Sequence, residues 1–188
     1  TILNNAAVSI PDGTGVYLAS KLLGKKVAGR FGGPESMFDL LKLSQEKNLG
    51  IYLLGSGSEV ASLASRNIKK SLPNIKILGF HDGFFKNDEA IVTEINTLKP
   101  DLIFVGMGFP RQEKWVFDNL KKFQSGVFVM EGGSFDYLSG KVRRAPLIIQ
   151  KIGFEWLFRL LTQPRRIFRQ IMLSKFIFLV IKNRFSKK

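Results

Sequence analysis

The stretch from Asp101 to Trp115, D-L-I-F-V-G-M-G-F-P-R-Q-E-K-W, constrains the fold more than any other part of this 188-residue chain. Leu102 to Val105 is an apolar run of branched and aromatic residues, long enough for a buried strand and too short for a buried helix. Gly106 and Gly108 then carry the backbone out of a sheet with almost no side chain in the way. Pro110 fixes one more dihedral, and Gln112, Glu113 and Lys114 suit the first turn of a helix whose inner face begins at Trp115. Strand, glycine loop and helix N-terminus, in that order, place unpaired N–H groups and a positive dipole end where an anion can sit. The same glycines also serve a plain βα turn that packs closely, and this stretch alone leaves both readings open.

The pattern recurs. Ile51 to Leu54 is a second short strand, ending in Gly55-Ser56-Gly57-Ser58 ahead of a helix expected from Glu59 to about Lys70. That loop is built like a dinucleotide phosphate turn but carries Val60 where the third glycine would stand, so alone it is a weak signal. Pro73-Asn74 leads into a strand over Ile75 to Phe80, ended by His81-Asp82-Gly83, and a helix follows over Asp88 to Leu98, capped by Asn87 and closed by Lys99-Pro100. After a helix over Gln112 to Lys122, the strand Val127 to Met130 runs into a third glycine loop, Glu131-Gly132-Gly133-Ser134-Phe135-Asp136. Upstream, Asn4 to Ile10 reads as an approach strand or turn. Pro11-Asp12-Gly13 reads as a tight turn opening a helix near Gly15 to Leu23, which puts Asp12 where a turn or N-cap carboxylate belongs. Gly32-Gly33-Pro34 breaks the chain before an amphipathic helix over Glu35 to Glu46.

Strands and helices alternating at this spacing predict a Rossmann-like, doubly wound, mainly parallel α/β sheet with right-handed crossovers. The loops at Gly55, Gly106 and Gly132 then lie on one edge, outside the carboxyl ends of the strands, where such sheets bind their ligands.

Composition enters with the C-terminal quarter. Residues 1–140 hold 16 Lys and Arg against 14 Asp and Glu, a net +2, whereas residues 141–188 hold 13 Lys and Arg against the single acid Glu155, a net +12. The boundary expected is therefore a core over 1–140 and a basic, helical appendage over 141–188. Ala145-Pro146 opens a helix there, Phe154, Leu157, Phe158 and Leu161 share one helical face, and Gln163-Pro164 interrupts. Nine of the eleven residues from Ile171 to Ile181 are apolar, a run too short to span a bilayer, which needs roughly 20. Packing on protein or lying in a membrane interface fits it, with Lys182, Arg184, Lys187 and Lys188 reaching anionic head groups. A nucleic-acid-binding module is a rival for the charge, disfavoured by the dense interleaving of Phe, Ile and Leu. The chain has no Cys and one His, His81, which excludes disulfides and thiolate chemistry and leaves little for a His-based metal site or triad.

G-x-G-x-P-x-Q-E-x-W at Gly106 to Trp115, G-G-x-F-D-x-x-x-G-x-x-x-R-A-P at Gly132 to Pro146 and G-x-E-W-x-x-R-L-x-x-x-P-x-R at Gly153 to Arg166 together resemble the WecG/TagA/CpsF family, glycosyltransferase family 26. The Pro11-Asp12-Gly13 turn and Gly33-Pro34 fall where that family has comparable features, so the resemblance runs over nearly the whole chain. It implies a Rossmann-like fold and an inverting transfer of N-acetylmannosamine, or its uronic acid, from UDP to polyprenyl-diphosphate-linked N-acetylglucosamine. In bacteria that reaction serves wall teichoic acid, common antigen or capsule synthesis. Family members carry some tens of residues before the Pro-Asp-Gly turn, including an opening strand and a Thr-containing motif. The expectation is thus that this chain is a fragment or that its sheet is short of an edge element.

An inverting transfer needs a base for the acceptor hydroxyl and stabilisation of the departing UDP. The resemblance puts the base at Asp12. No Asp-x-Asp occurs in the chain, so no metal and no cofactor is expected, and Arg159, Arg166 and Arg169 are the cations expected to serve catalysis or hold the diphosphate. Substrate binding is expected at Gly55, Ser56 and Gly57 of the first loop, Gly106, Gly108 and Gln112 of the second, and Gly132, Gly133 and Asp136 of the third, with Arg30 added from the loop before the Glu35 helix. The partners expected are a UDP-sugar donor, a lipid-linked acceptor and an anionic membrane surface, with no nucleic acid and a homo-oligomer left open. The place expected is the cytoplasmic face of the bacterial membrane. An NAD-linked enzyme using the Gly55 loop is the remaining rival.

Overall fold

In the computed structural model the described residues are 2–27, 29, 32–164 and 167–186, with Lys151 and residues 168–172 described for their backbone only. The chain divides into two compact units, Thr1–Ser9 with Gly33–Arg143, and Ile10–Gly32 with Arg144–Lys188.

The first unit is built on four parallel strands, β1 (Gly50–Gly55), β2 (Lys76–His81), β3 (Leu102–Gly106) and β4 (Val127–Met130), in the spatial order β2-β1-β3-β4. β1 and β3 are the central pair, which explains their unbroken apolar runs: both faces of each are covered. Ile51, Leu53 and Phe104 point to one face, where they meet Met37 and Leu41 of α2 (Gly33–Glu46), Ala64 and Ile68 of α3 (Ser58–Ser71) and Phe135 of α6 (Ser134–Leu138). Tyr52, Leu54, Ile103 and Val105 point to the other, against Ile91 and Ile95 of α4 (Asp88–Leu98) and Trp115 and Val116 of α5 (Arg111–Asn119). Two cores on the two faces of one parallel sheet are what a doubly wound α/β chain requires.

Several local features anchor that frame. The side chain of Asn87 caps α4 by accepting from the N–H groups of Glu89 and Ala90, at 3.1 and 3.2 Å. Asp101 stitches the amino ends of three strands: its carboxylate and its N–H both bond Gly50, at 2.7 and 2.8 Å, and its carbonyl accepts from Val127 at 2.9 Å. Tyr52, fully buried, donates its hydroxyl to Glu94 at 2.8 Å. Burial and then that bond raise the phenol far above its ordinary range, so it stays a neutral donor.

Of the strand or turn expected over Asn4 to Ile10, the turn forms: Ile2–Asn5 is a 3-10 turn that packs on α5. One other local expectation is corrected. The helix expected to reach Lys122 ends at Asn119 and tightens into a 3-10 turn over Leu120–Lys122, as the last turn of a helix commonly does.

The second unit joins α1 (Gly13–Leu22) to three C-terminal helices, α7 (Leu147–Lys151), α8 (Glu155–Thr162) and α9 (Ile167–Phe185). α1 packs on α9, Gly15 lying beside Leu173, and the Thr14 hydroxyl donates to the Gly153 carbonyl at 3.3 Å. The interruption expected at Gln163-Pro164 falls between α8 and α9.

Candidate active site

The strand order places the reversal of winding between β1 and β3, the position where open parallel sheets leave a crevice. The loops that follow these two strands touch there. Ser56 donates its N–H to the Gly106 carbonyl at 2.9 Å, and a Cβ on Gly55 would stand 2.5 Å from the Gly106 carbonyl carbon, so the close approach of the two backbones requires glycine. The third loop closes on the same point: a Cβ on Gly106 would run into the buried Phe135 ring and lie 3.2 Å from the Gly132 carbonyl. Ser56 Oγ lies 3.5 Å from Asp136 Oδ1, at the outer limit of a hydrogen bond. The expected set Gly55, Ser56, Gly57, Gly106, Gly108, Gln112, Gly132, Gly133 and Asp136 therefore belongs to three adjoining loops of one unit.

The backbone there is unusual for a mere turn. Ser56 takes a left-handed conformation, φ 59°, uncommon for a non-glycine residue. Its carbonyl accepts from Gly83 at 2.8 Å, so the loop after β2 joins the other three. Gly57 caps α3 without a side chain, leaving that helix's first N–H groups open to an anion, and Val60 packs into the core in the position expected to lack a glycine. Gln112 is 4% exposed and reaches back to the loop, its Oε1 accepting from Gly108 N–H at 2.9 Å.

We predict that Gly106→Ala destabilises this unit by about 1–3 kcal/mol, since the methyl must displace a ring that has no room to move. Chemical denaturation reads this directly, and an unchanged midpoint contradicts the packing described here.

The sequence missed three participants. Gly83 fills the fourth loop, its Cβ position 3.0 Å from Met107 and 3.2 Å from Gly55 Cα. Glu131, 7% exposed, accepts from the Ser134 hydroxyl at 2.8 Å and so braces the third glycine loop. Glu113 accepts from Gln112 Nε2 at 2.9 Å. Glu131 opens the third glycine loop and Glu113 stands in the Q-E motif, the only signals that could have found them.

The residues expected to do chemistry lie in the second unit. Asp12 is exposed at the N-cap of α1, yet its side chain makes no capping bond to that helix. Arg159 is half-buried on α8. Arg144 forms an ion pair with Glu155 at 3.7 Å, a pairing that the charge count alone did not reveal. Arg30 and Arg166 lie outside the described residues, and Arg169 lies in α9 with its backbone alone described. Among the described residues no group of three or more His, Asp or Glu gathers where it could hold a metal ion.

The second unit also exposes much apolar surface. Leu147 and Ile148 of α7, Leu161 of α8 and Phe178 of α9 are each more than 60% exposed, and α9 also carries Lys175, Lys182 and Arg184. No helix among the described residues is long and apolar enough to cross a membrane.

Comparison with known proteins identifies the family. The N-acetylglucosaminyldiphosphoundecaprenol N-acetyl-beta-D-mannosaminyltransferase of Bacillus spizizenii is 34% identical over 182 residues, covering 97% of this chain and 71% of that protein. The protein of the same name from Staphylococcus aureus is 36% identical over 181 residues, covering 96% of this chain and 71% of its own length. The model of the glycosyl transferase WecG/TagA/CpsF family matches residues 1–188, and so a parallel sheet with three glycine loops gathered at its switch point is here the scaffold of a glycosyl transferase: the chain belongs to the WecG/TagA/CpsF family.

Proposed function

We propose that this chain transfers N-acetylmannosamine from UDP to N-acetylglucosamine carried on a polyprenyl diphosphate, with inversion at the sugar carbon. The observation that carries the reading is the meeting of the Gly55 and Gly106 backbones at the β1/β3 switch point, where a nucleotide diphosphate finds bare backbone and an open helix N-terminus. The activity named for the two relatives supports the choice of sugar and acceptor. Cell-envelope polysaccharide synthesis is the process such a product serves.

In this reading the loops after β1, β3 and β4 bind the donor, with Gln112 beside them and Arg30 assisting. Asp12 takes the proton of the acceptor hydroxyl as that oxygen attacks the anomeric carbon, and the bond to the UDP oxygen breaks on the opposite face. Arg159, Arg166 and Arg169 meet the charge that grows on the leaving diphosphate, and neither a metal nor a cofactor takes part. The exposed apolar and basic surface of α7 to α9 supports a place on an anionic membrane surface, the cytoplasmic face in a bacterium, where a polyprenyl carrier is held.

The test is binding and turnover with UDP-N-acetylmannosamine, its uronic acid, UDP-N-acetylglucosamine and NAD compared side by side. Transfer from the first onto a short-chain polyprenyl-diphosphate N-acetylglucosamine is expected, and NAD binding without UDP binding would sink the reading. Gly108→Val probes the loop itself. Its φ of 83° suits glycine, nothing stands within 4 Å of the added Cβ, and the expected outcome is weaker UDP binding by calorimetry from a domain that still folds.

A further inference from the structure

Gln112 and Glu113 form a chain of hydrogen bonds on the second glycine loop. Gly108 donates its N–H to Gln112 Oε1 at 2.9 Å, and Gln112 returns its own N–H to the Gly108 carbonyl at 3.1 Å. From the other end of the same amide, Nε2 donates to Glu113 Oε1 at 2.9 Å. One hydrogen bond to an amide fixes a point about which the group can swing, whereas one at each end fixes its plane. The second of these bonds is made to a carboxylate, the stronger kind.

Glu113 holds this position at a cost. Its other oxygen, Oε2, is buried with no hydrogen-bond partner among the described residues, and a carboxylate oxygen buried without a partner is costly. A chain serving only to cap α5 would need neither that oxygen nor the carboxylate, because the bonds between Gln112 and Gly108 already tie the loop to the helix. Costs of this kind concentrate where geometry serves a ligand.

We propose that Glu113 is a positioning residue: its carboxylate holds the Gln112 amide in the plane set by Gly108, so that the second N–H of Nε2 is presented to the phosphate or sugar oxygens of a nucleotide-sugar bound at the loop. The proposal rests on the reading of these loops as the donor site. Glu113 acts through Gln112 and need not touch the donor.

The experiment is a double-mutant cycle on the full chain, with UDP binding measured by calorimetry and folding by thermal unfolding. Gln112→Ala and Glu113→Ala are each expected to weaken UDP binding about 10-fold, the loss of one well-placed hydrogen bond to a charged group. The double variant is expected to bind no more weakly than Gln112→Ala alone, because Glu113 has nothing left to hold. Glu113→Gln, whose Oε1 can still accept from Nε2, should recover most of the affinity. Penalties that add, a Glu113→Ala variant that binds as the unaltered chain does, or weakening that tracks a fall in melting temperature and is not rescued by Gln, each overturn the positioning role. Failure of the unaltered chain to bind UDP overturns the donor-site reading and this proposal together.

Discussion

Asp12→Asn is expected to lower transfer by about 10²–10⁴-fold, the usual loss when a general base is removed, while UDP affinity and the melting temperature stay where they are. Asp12 stands at the N-cap of α1 but spends no side-chain oxygen on capping, so the amide substitution removes no capping bond, and the residue is exposed. The amide keeps the shape but carries no charge and cannot accept the acceptor's proton. Single-turnover measurement with saturating donor reads the chemical step without product release. Near-normal turnover would return Asp12 to the role of a turn residue.

Arg159→Ala is expected to cost roughly 2–4 kcal/mol of transition-state stabilisation, in line with the loss of one donor to a developing anion, or about 30- to 1,000-fold in rate. Lys at this position should restore only part, since it offers a point charge in place of a planar fork. The assay should use a detergent-soluble, short-chain acceptor, because an arginine that serves only membrane attachment would then be dispensable. Normal turnover of that acceptor by Arg159→Ala would assign the residue to a solvated basic surface. Deleting the C-terminal helices is a poorer experiment than it looks from the sequence. α1, which begins directly after Asp12, packs on α9, and Thr14 bonds Gly153, so the deletion strips the proposed base of its support along with the arginines. A truncated chain without activity would not tell one loss from the other, which is why the single substitution carries the test.

Much of the first unit was legible because its signals are local. A run such as Ile51 to Leu54 has only one stable home in water, between two layers, and the strands and cores confirm both faces of it. Asn87 announced its helix by the short side chain that caps it, and Gln163-Pro164 marked a break that any tertiary context must respect. Three ordered motifs, finally, were enough to indicate the family, and with it the transfer chemistry.

Other features depend on pairs far apart in the chain, and no local propensity encodes them. The touching of Gly55 and Gly106 follows from β1 and β3 lying side by side, a choice of strand order that the alternation of strands and helices leaves free. Ser56 is left-handed because two partner loops hold it at both its N–H and its carbonyl, and nothing in a serine asks for that. Ile10–Gly32 reads as the opening of the α/β core, yet it forms one compact unit with Arg144–Lys188. An apolar face on a helix such as α1 specifies that it must be covered and not by what; the covering surface, here α9, is selected only when the folded chain brings the two together. The sequence by itself thus determined the strands, the loops and the kind of chemistry, all of which follow from neighbours in the chain. Only the tertiary structure decided which loops meet and that α1 packs on α9, because burial rewards any complementary surface and the competition among them is settled globally.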